Sequence, residues 1–340
     1  CWSGSDGVAQ GGARRARGVG NCGAVTARSS AERWLLLASY GSVTVALFLI
    51  LVKAAAWLYT GSASLLGSLI DSFMDSMASL ISMAAVRYSL KPADEEHRFG
   101  HGKAESLAAL AQSAFIMGSA VLLFLYCLER ILHGREYVLE HTGIGMAVSV
   151  CAIVCTLGLL ALQGHAIRLT GSTAIGADRL HYKSDLFMNA SVIASMLFAQ
   201  HGVYQVDAII GVVIAVTISV GAVQIGREAF GLLMDKALPP AVDQRIRELA
   251  LSSPGVLGVH DLRTRRSGMR YIIQLHLELD DDTSLLVAHG IADAVEMRLR
   301  AAYPGADVII HQDPHSVVEE ELAQALARLG RGVAPVSAGE

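Results

Sequence analysis

The sequence predicts an α-helical membrane protein with six transmembrane helices, followed by a C-terminal cytoplasmic α/β domain of the ferredoxin-like type. Three observations carry this. Of 340 residues 53% are hydrophobic and only 17% are charged, against about 25% charged in average soluble chains. Six long apolar segments fall at roughly 34–58, 63–88, 105–132, 142–165, 176–200 and 206–232, each long enough for the ~20 residues that cross a hydrocarbon core. After Phe230 the composition turns soluble, and the apolar spacing changes to short helices and alternating strands.

Taken in order, residues 1–30 are rich in Gly, Ala and Arg without a sustained apolar run. They read as a disordered tail and not as a secretory signal peptide. The membrane domain is placed at 31–235, a cytoplasmic domain at 236–316 and a flexible tail at 317–340. The first apolar segment is interrupted only by Lys53, and the second carries only two aspartates between Ser62 and Arg87. The fifth holds His181, Lys183 and Asp185 near its start, so hydropathy alone places its beginning late.

Basic residues set the orientation. The connection between segments 2 and 3 holds Arg87, Lys91, Arg98 and Lys103, and that between 4 and 5 holds Arg168, Arg179 and Lys183. These loops are expected on the cytoplasmic side, and with six spans both termini join them, in a multi-pass protein of the inner (cytoplasmic) membrane. In the soluble part, Pro239-Pro240 breaks the last long helix. Helices are expected at Ala241–Ser252 and Leu285–Ala302, with strands at Val256–Arg265, Tyr271–Leu279 and Ala306–His311.

Net charge is −4, and no basic stripe suits nucleic acid. No phosphate-cradling glycine loop appears, so a nucleotide-driven pump is not supported. The five cysteines include no CxxC pair. Cys127, Cys151 and Cys155 lie in apolar runs and read as small buried hydrophobes.

The strongest chemical signal is intramembrane. Asp71 and Asp75 are four residues apart, hence on one helix face. His181 and Asp185 repeat that spacing on another helix. A carboxylate at the bilayer centre costs about 3 kcal/mol on insertion scales, and two on one face repel each other. A divalent cation shared by the four groups removes both problems and matches a tetrahedral N/O site of the kind zinc takes. The competing reading pairs the acids with Lys53 or Lys183 as helix glue. A second cluster, Asp94, His97 and His101, lies in the 2–3 loop and could ligate a metal, although such histidines also cap helix ends. A third lies in the soluble domain: His260, His276 and His311 in or beside strands, His289 on a helix, and Asp313 next to His311. Asp261 follows His260 but points to the other face of a strand, which weakens it as a ligand.

The runs Leu69-Ile-Asp71-Ser-Phe-Met-Asp75-Ser, His97-Arg-Phe-Gly-His101-Gly-Lys103-Ala-Glu105 and His181-Tyr-Lys-Ser-Asp185 resemble the cation diffusion facilitators, and most closely their bacterial zinc and ferrous-iron efflux branch. The resemblance runs from about residue 33 to 316. It also covers Asp235-Lys-Ala-Leu-Pro239, His260-Asp-Leu-Arg-Thr-Arg265 and His311-Gln-Asp-Pro314. It implies a homodimer in the lipid bilayer that exchanges divalent metal for protons and is not an enzyme. The transport site would be Asp71, Asp75, His181 and Asp185, and the loop site Asp94, His97 and His101. A two-metal site at the contact of the cytoplasmic domains would use His260, His276, His289, His311 and Asp313. Lys103 and Asp235 match a pair that ties the membrane helices to the cytoplasmic domain across the dimer. A ligand set without sulfur suits Zn2+, and Cd2+ and Fe2+ are chemically allowed as further cargo. A membrane-anchored metal sensor or scaffold, or a channel, is the competing class.

Overall fold

The computed structural model describes residues 20–61, 63–133, 142–199, 206–320 and 323–324. Six long helices come first: α1 (Gly20–Thr60), α2 (Ala63–Ser89), α3 (Lys103–His133), α4 (Thr142–Thr170), α5 (Thr173–Ala199) and α6 (Val206–Leu233). Helix α7 (Pro240–Leu251), strands β1 (Gly258–Ser267) and β2 (Arg270–Leu279), helix α8 (Leu285–Ala302) and strand β3 (Asp307–Pro314) follow. Helix α1 begins at Gly20, inside the stretch expected to be a tail, while residues 1–19 and most of the 317–340 tail lie outside the described residues.

Five of the long helices, α1, α2, α3, α4 and α6, are long and apolar enough to cross a membrane. Helix α5 spans 27 residues but carries Asp178, Arg179, His181, Lys183 and Asp185 in its first half, which separates it from the others. It packs against α4 and α6 inside the bundle. Polarity runs opposite to that of a soluble protein. Leu51, Leu122, Leu132 and Val154 point outward, whereas Ser42, Ser79, Gln163 and Asp178 are buried. Small residues let the helices approach closely. Gly211 on α6 meets Cys127 on α3, and Gly226 meets Ser113.

Chain punctuation is local. Gly61 (φ +62°) and Gly171 (φ +60°) end α1 and α4 in the left-handed conformation that glycine adopts without strain. Their N–H groups donate to Trp57 O and Ile167 O. Helix α6 ends at Leu233, Asp235 just beyond it sits at φ +55°, and Lys236 N–H then reaches back to Gly231 O.

In the C-terminal α/β domain, β1 and β2 pair antiparallel and β2 and β3 parallel, in the order β1-β2-β3. Leu275, Leu277 and Leu279 alternate onto the buried face of β2, where Ile246, Val295 and Leu299 from α7 and α8 cover them. The opposite face of the sheet carries the polar side chains Gln274, His276 and Glu278 beside Ile272.

Candidate metal sites

Helices α2 and α5 bring the candidate intramembrane ligands together. His181 Nε2 lies 2.8 Å from Asp75 Oδ1 and 3.9 Å from Asp185 Oδ2. These three groups can turn one ligand atom each to a common point. Asp71 stands outside that tight trio but lines a cavity of about 170 Å³ with two of its members, Asp75 and Asp185, and with Lys53, Ser72 and Asn189. The i, i+4 spacing thus puts both acids of α2 at the cavity. Lys53 is bonded to Ser72 Oγ (2.6 Å) and Ser68 O (3.2 Å).

One turn before His181 lies a group the sequence reading passed over. Asp178 is buried and accepts hydrogen bonds from Ser79 Oγ (3.1 Å) and Gln163 Nε2 (2.8 Å). Tyr182 OH donates to Ser42 O at 2.9 Å. Together these residues tie α1, α2, α4 and α5 together beside the ligands. The available signal was the acid itself, three residues before His181 in a membrane-length helix.

Between the end of α2 and the start of α3 the loop cluster also assembles. His101 Nε2 lies 3.1 Å from Asp94 Oδ2, and His97 Nδ1 lies 3.5 Å from Asp94 Oδ1. His101 is buried, with Nδ1 near Pro92 O, while Asp94 and His97 are exposed. The backbone N–H of His97 donates to Asp94 at 2.7 Å and holds that carboxyl below the usual range.

The third site is set by strand register. His260 on β1 pairs with His276 on β2, which pairs with His311 on β3. The three histidines therefore form one row across the sheet, on the face opposite Leu275 and Leu277. Asp313 sits at its hub, 3.2 Å from His260 Nε2, 2.8 Å from His276 Nδ1 and 3.1 Å from His311 Nε2. A bulge after His260 throws Asp261 into a left-handed conformation (φ +48°), where it pairs with Arg263. Asp261 is accordingly absent from the row. His289, expected with this group, is not brought to it within one chain. It stands exposed on α8 beside Asp293, 3.7 Å away. Glu278, which the sequence reading missed, accepts from His260 Nδ1 at 3.1 Å and fixes that ring. Its place two residues after His276 on the same strand face was the signal.

A polar junction joins the two parts of the chain. Asp235, at the end of α6, bonds Lys103 Nζ and Arg265 Nη1, each at 2.9 Å. Against the desolvation of this position, the two cations hold its carboxyl below the usual range. Arg266 donates to Thr170 O and Gly171 O at the turn that leads into α5. Gly102 lies so close to the β1–β2 turn that a Cβ there would be 2.6 Å from the Ser267 carbonyl. The Lys103–Asp235 pair thus forms within a single chain.

Comparison with known proteins places the chain in a family. Residues 40–234 match the family model described as the cation efflux transmembrane domain, and residues 238–315 the one described as the cation efflux protein, cytoplasmic domain. The chain belongs to the cation diffusion facilitator family. Within it, the chain is 50% identical over 293 residues to the cation-efflux pump FieF of Shewanella oneidensis, across 86% of this chain and 98% of that protein. It is 46% identical over 285 residues to FieF of Salmonella arizonae, across 84% and 94%. A solved structure of CzrB in a zinc form is 38% identical over 24% of this chain, with a TM-score of 0.23. Cation diffusion facilitators are multi-pass membrane transporters and not enzymes, and the chain falls in the FieF-like branch.

Proposed function

We propose that this protein exports Zn2+ from the cytoplasm in exchange for protons, as a homodimer working by alternating access, with Cd2+ or Fe2+ as secondary cargo. The observation that carries the reading is the convergence of Asp75, His181 and Asp185 between two helices of the membrane domain, with Asp71 on the cavity that Asp75 and Asp185 line. The relatives' own name, cation-efflux pump, points the same way.

Metal ligation requires ionised carboxylates and neutral imidazole, so protons and metal compete for one set of atoms. A free imidazole titrates near pH ~6.5, which makes His181 the natural group to receive a proton as the metal leaves. A cation shared by α2 and α5 also depends on their spacing. A rocking motion that parts Asp75 from His181 would break the ligand set and lower affinity in one state only, as alternating access requires.

In this reading α5 spans the membrane as a sixth helix despite its charges, because Asp178, His181 and Asp185 face the bundle interior. The C-terminal domain is ferredoxin-like, the termini are cytoplasmic and the membrane is the inner one. The loop cluster and the histidine row are further metal sites. His289, exposed and apart from the row, would be supplied across the homodimer contact. Metal at the row would then favour one arrangement of the two copies, and so one state of the membrane helices. Replacing His181 by Ala is expected to abolish zinc efflux from cells while leaving the protein in the membrane. Undiminished efflux would overturn the assignment.

A further inference from the structure

Lys53 is a buried ammonium on α1, 8% exposed, in a segment otherwise apolar. Such a charge is costly in a bilayer unless something offsets it. Its direct hydrogen-bond partners, Ser72 Oγ and Ser68 O, are both neutral. Ser72 follows Asp71 on α2, and the cavity that Lys53 lines is the one lined by Asp71, Asp75 and Asp185. The ammonium is therefore anchored by α2 while its field falls on three carboxylates. Asp178, the other acid of this region, is held by Ser79 and Gln163 and does not line the cavity.

We propose that Lys53 is the fixed counter-charge of the intramembrane site and sets its preference for a doubly charged cargo. This rests on the metal-site reading above. Three ionised carboxylates and a neutral His181 carry −3, and Lys53 brings the cavity to −2. A divalent cation then leaves it neutral. Without the ammonium the loaded site keeps one uncompensated negative charge, binds any cation more tightly and favours a trivalent one. Lys53 also keeps divalent metal from being held too strongly to leave, which a transporter requires.

The test uses the full-length protein in lipid nanodiscs, with His101→Ala and His276→Ala present throughout to silence the other two clusters. Zinc affinity is measured by chelator competition and Tb3+ affinity by its luminescence. Removing one positive charge on the order of 10 Å from a divalent cation, at an effective dielectric of about 20, strengthens binding by about a hundredfold or more. Lys53→Met is expected to tighten Zn2+ by that factor and Tb3+ by more, and Lys53→Arg to behave as Lys53. Lys53→Gln separates charge from packing, because it can still donate to Ser72 but is neutral. It is expected to follow the Met variant. Affinities that stay unchanged or weaken in both neutral variants would overturn the counter-charge role. Zinc binding that survives Asp75→Ala would instead overturn the site itself, and the two failures are distinct.

Discussion

Asp235→Asn probes the junction between the membrane helices and the cytoplasmic domain with little disturbance of the backbone. The position has φ +55°, a conformation asparagine accepts almost as well as glycine, so the loss is electrostatic. Asp235 is 41% exposed, Lys103 42% and Arg265 25%. Half-exposed pairs are worth about 0.2–1 kcal/mol each, and the less exposed Arg265 pair belongs at the upper end. The two together come to about 1–1.5 kcal/mol, and 1.4 kcal/mol is about tenfold in a local opening equilibrium. Hydrogen–deuterium exchange of the full-length protein reads this directly. Amides of the β1–β2 turn and the end of α6 should exchange about tenfold faster in the variant. The gap should close in about 1 M salt, where the Debye length is ~3 Å. Equal protection in both proteins at low salt would refute the argument that these pairs hold the domain to the bundle.

Acid should act on the same contact. The Asp235 carboxyl titrates below its ordinary value when folded, so its stabilisation is full above the unfolded pKa of about 3.9 and is lost as pH falls through the lower folded value. The difference in exchange between wild type and Asp235→Asn should vanish only below about pH 4, and a difference that vanishes between pH 5 and 7 would contradict the assignment. Gly102→Ala places a Cβ 2.6 Å from the Ser267 carbonyl, which backbone cannot yield cheaply. It should loosen hairpin docking by about 1–3 kcal/mol, seen as faster exchange at Ser267–Arg270, while Gly67→Ala, which meets nothing within 4 Å, should not. His276→Ala removes the middle of the histidine row, beside Asp313 at 2.8 Å, and should lower the zinc bound per chain in equilibrium dialysis. Unchanged stoichiometry would show that the row is not a metal site.

The intramembrane cluster was legible in the sequence because helical spacing is local. Residues i and i+4 share a face whatever the tertiary structure, so Asp71 with Asp75 and His181 with Asp185 could be paired before any contact was known. The histidine row was legible only in part. His260, His276 and His311 could be assigned to strands, but their alignment depends on pairing register and on a one-residue bulge at Asp261. Neither is written locally. Glu278 and Asp178 escaped for the same reason, since what they do depends on a cross-strand and a cross-helix neighbour. Lys53 was visible as an interruption of an apolar run, yet its place at the cavity comes from α1 packing on α2. His289 fails to join the row in a single chain because α8 covers the sheet's apolar face while the row lies on the other. The start of α1 at Gly20 was missed because Gly, Ala and Arg without an apolar run give no amphipathic signal.

Zinc flux into proteoliposomes, with and without an imposed proton gradient, tests the central claim most directly when wild type is compared with Asp75→Ala. The account predicts flux that follows the gradient in wild type and disappears in the variant. Flux that ignores the gradient would point to a channel. No flux at all, with zinc still bound by the cytoplasmic histidines, would make the protein a sensor and contradict the account.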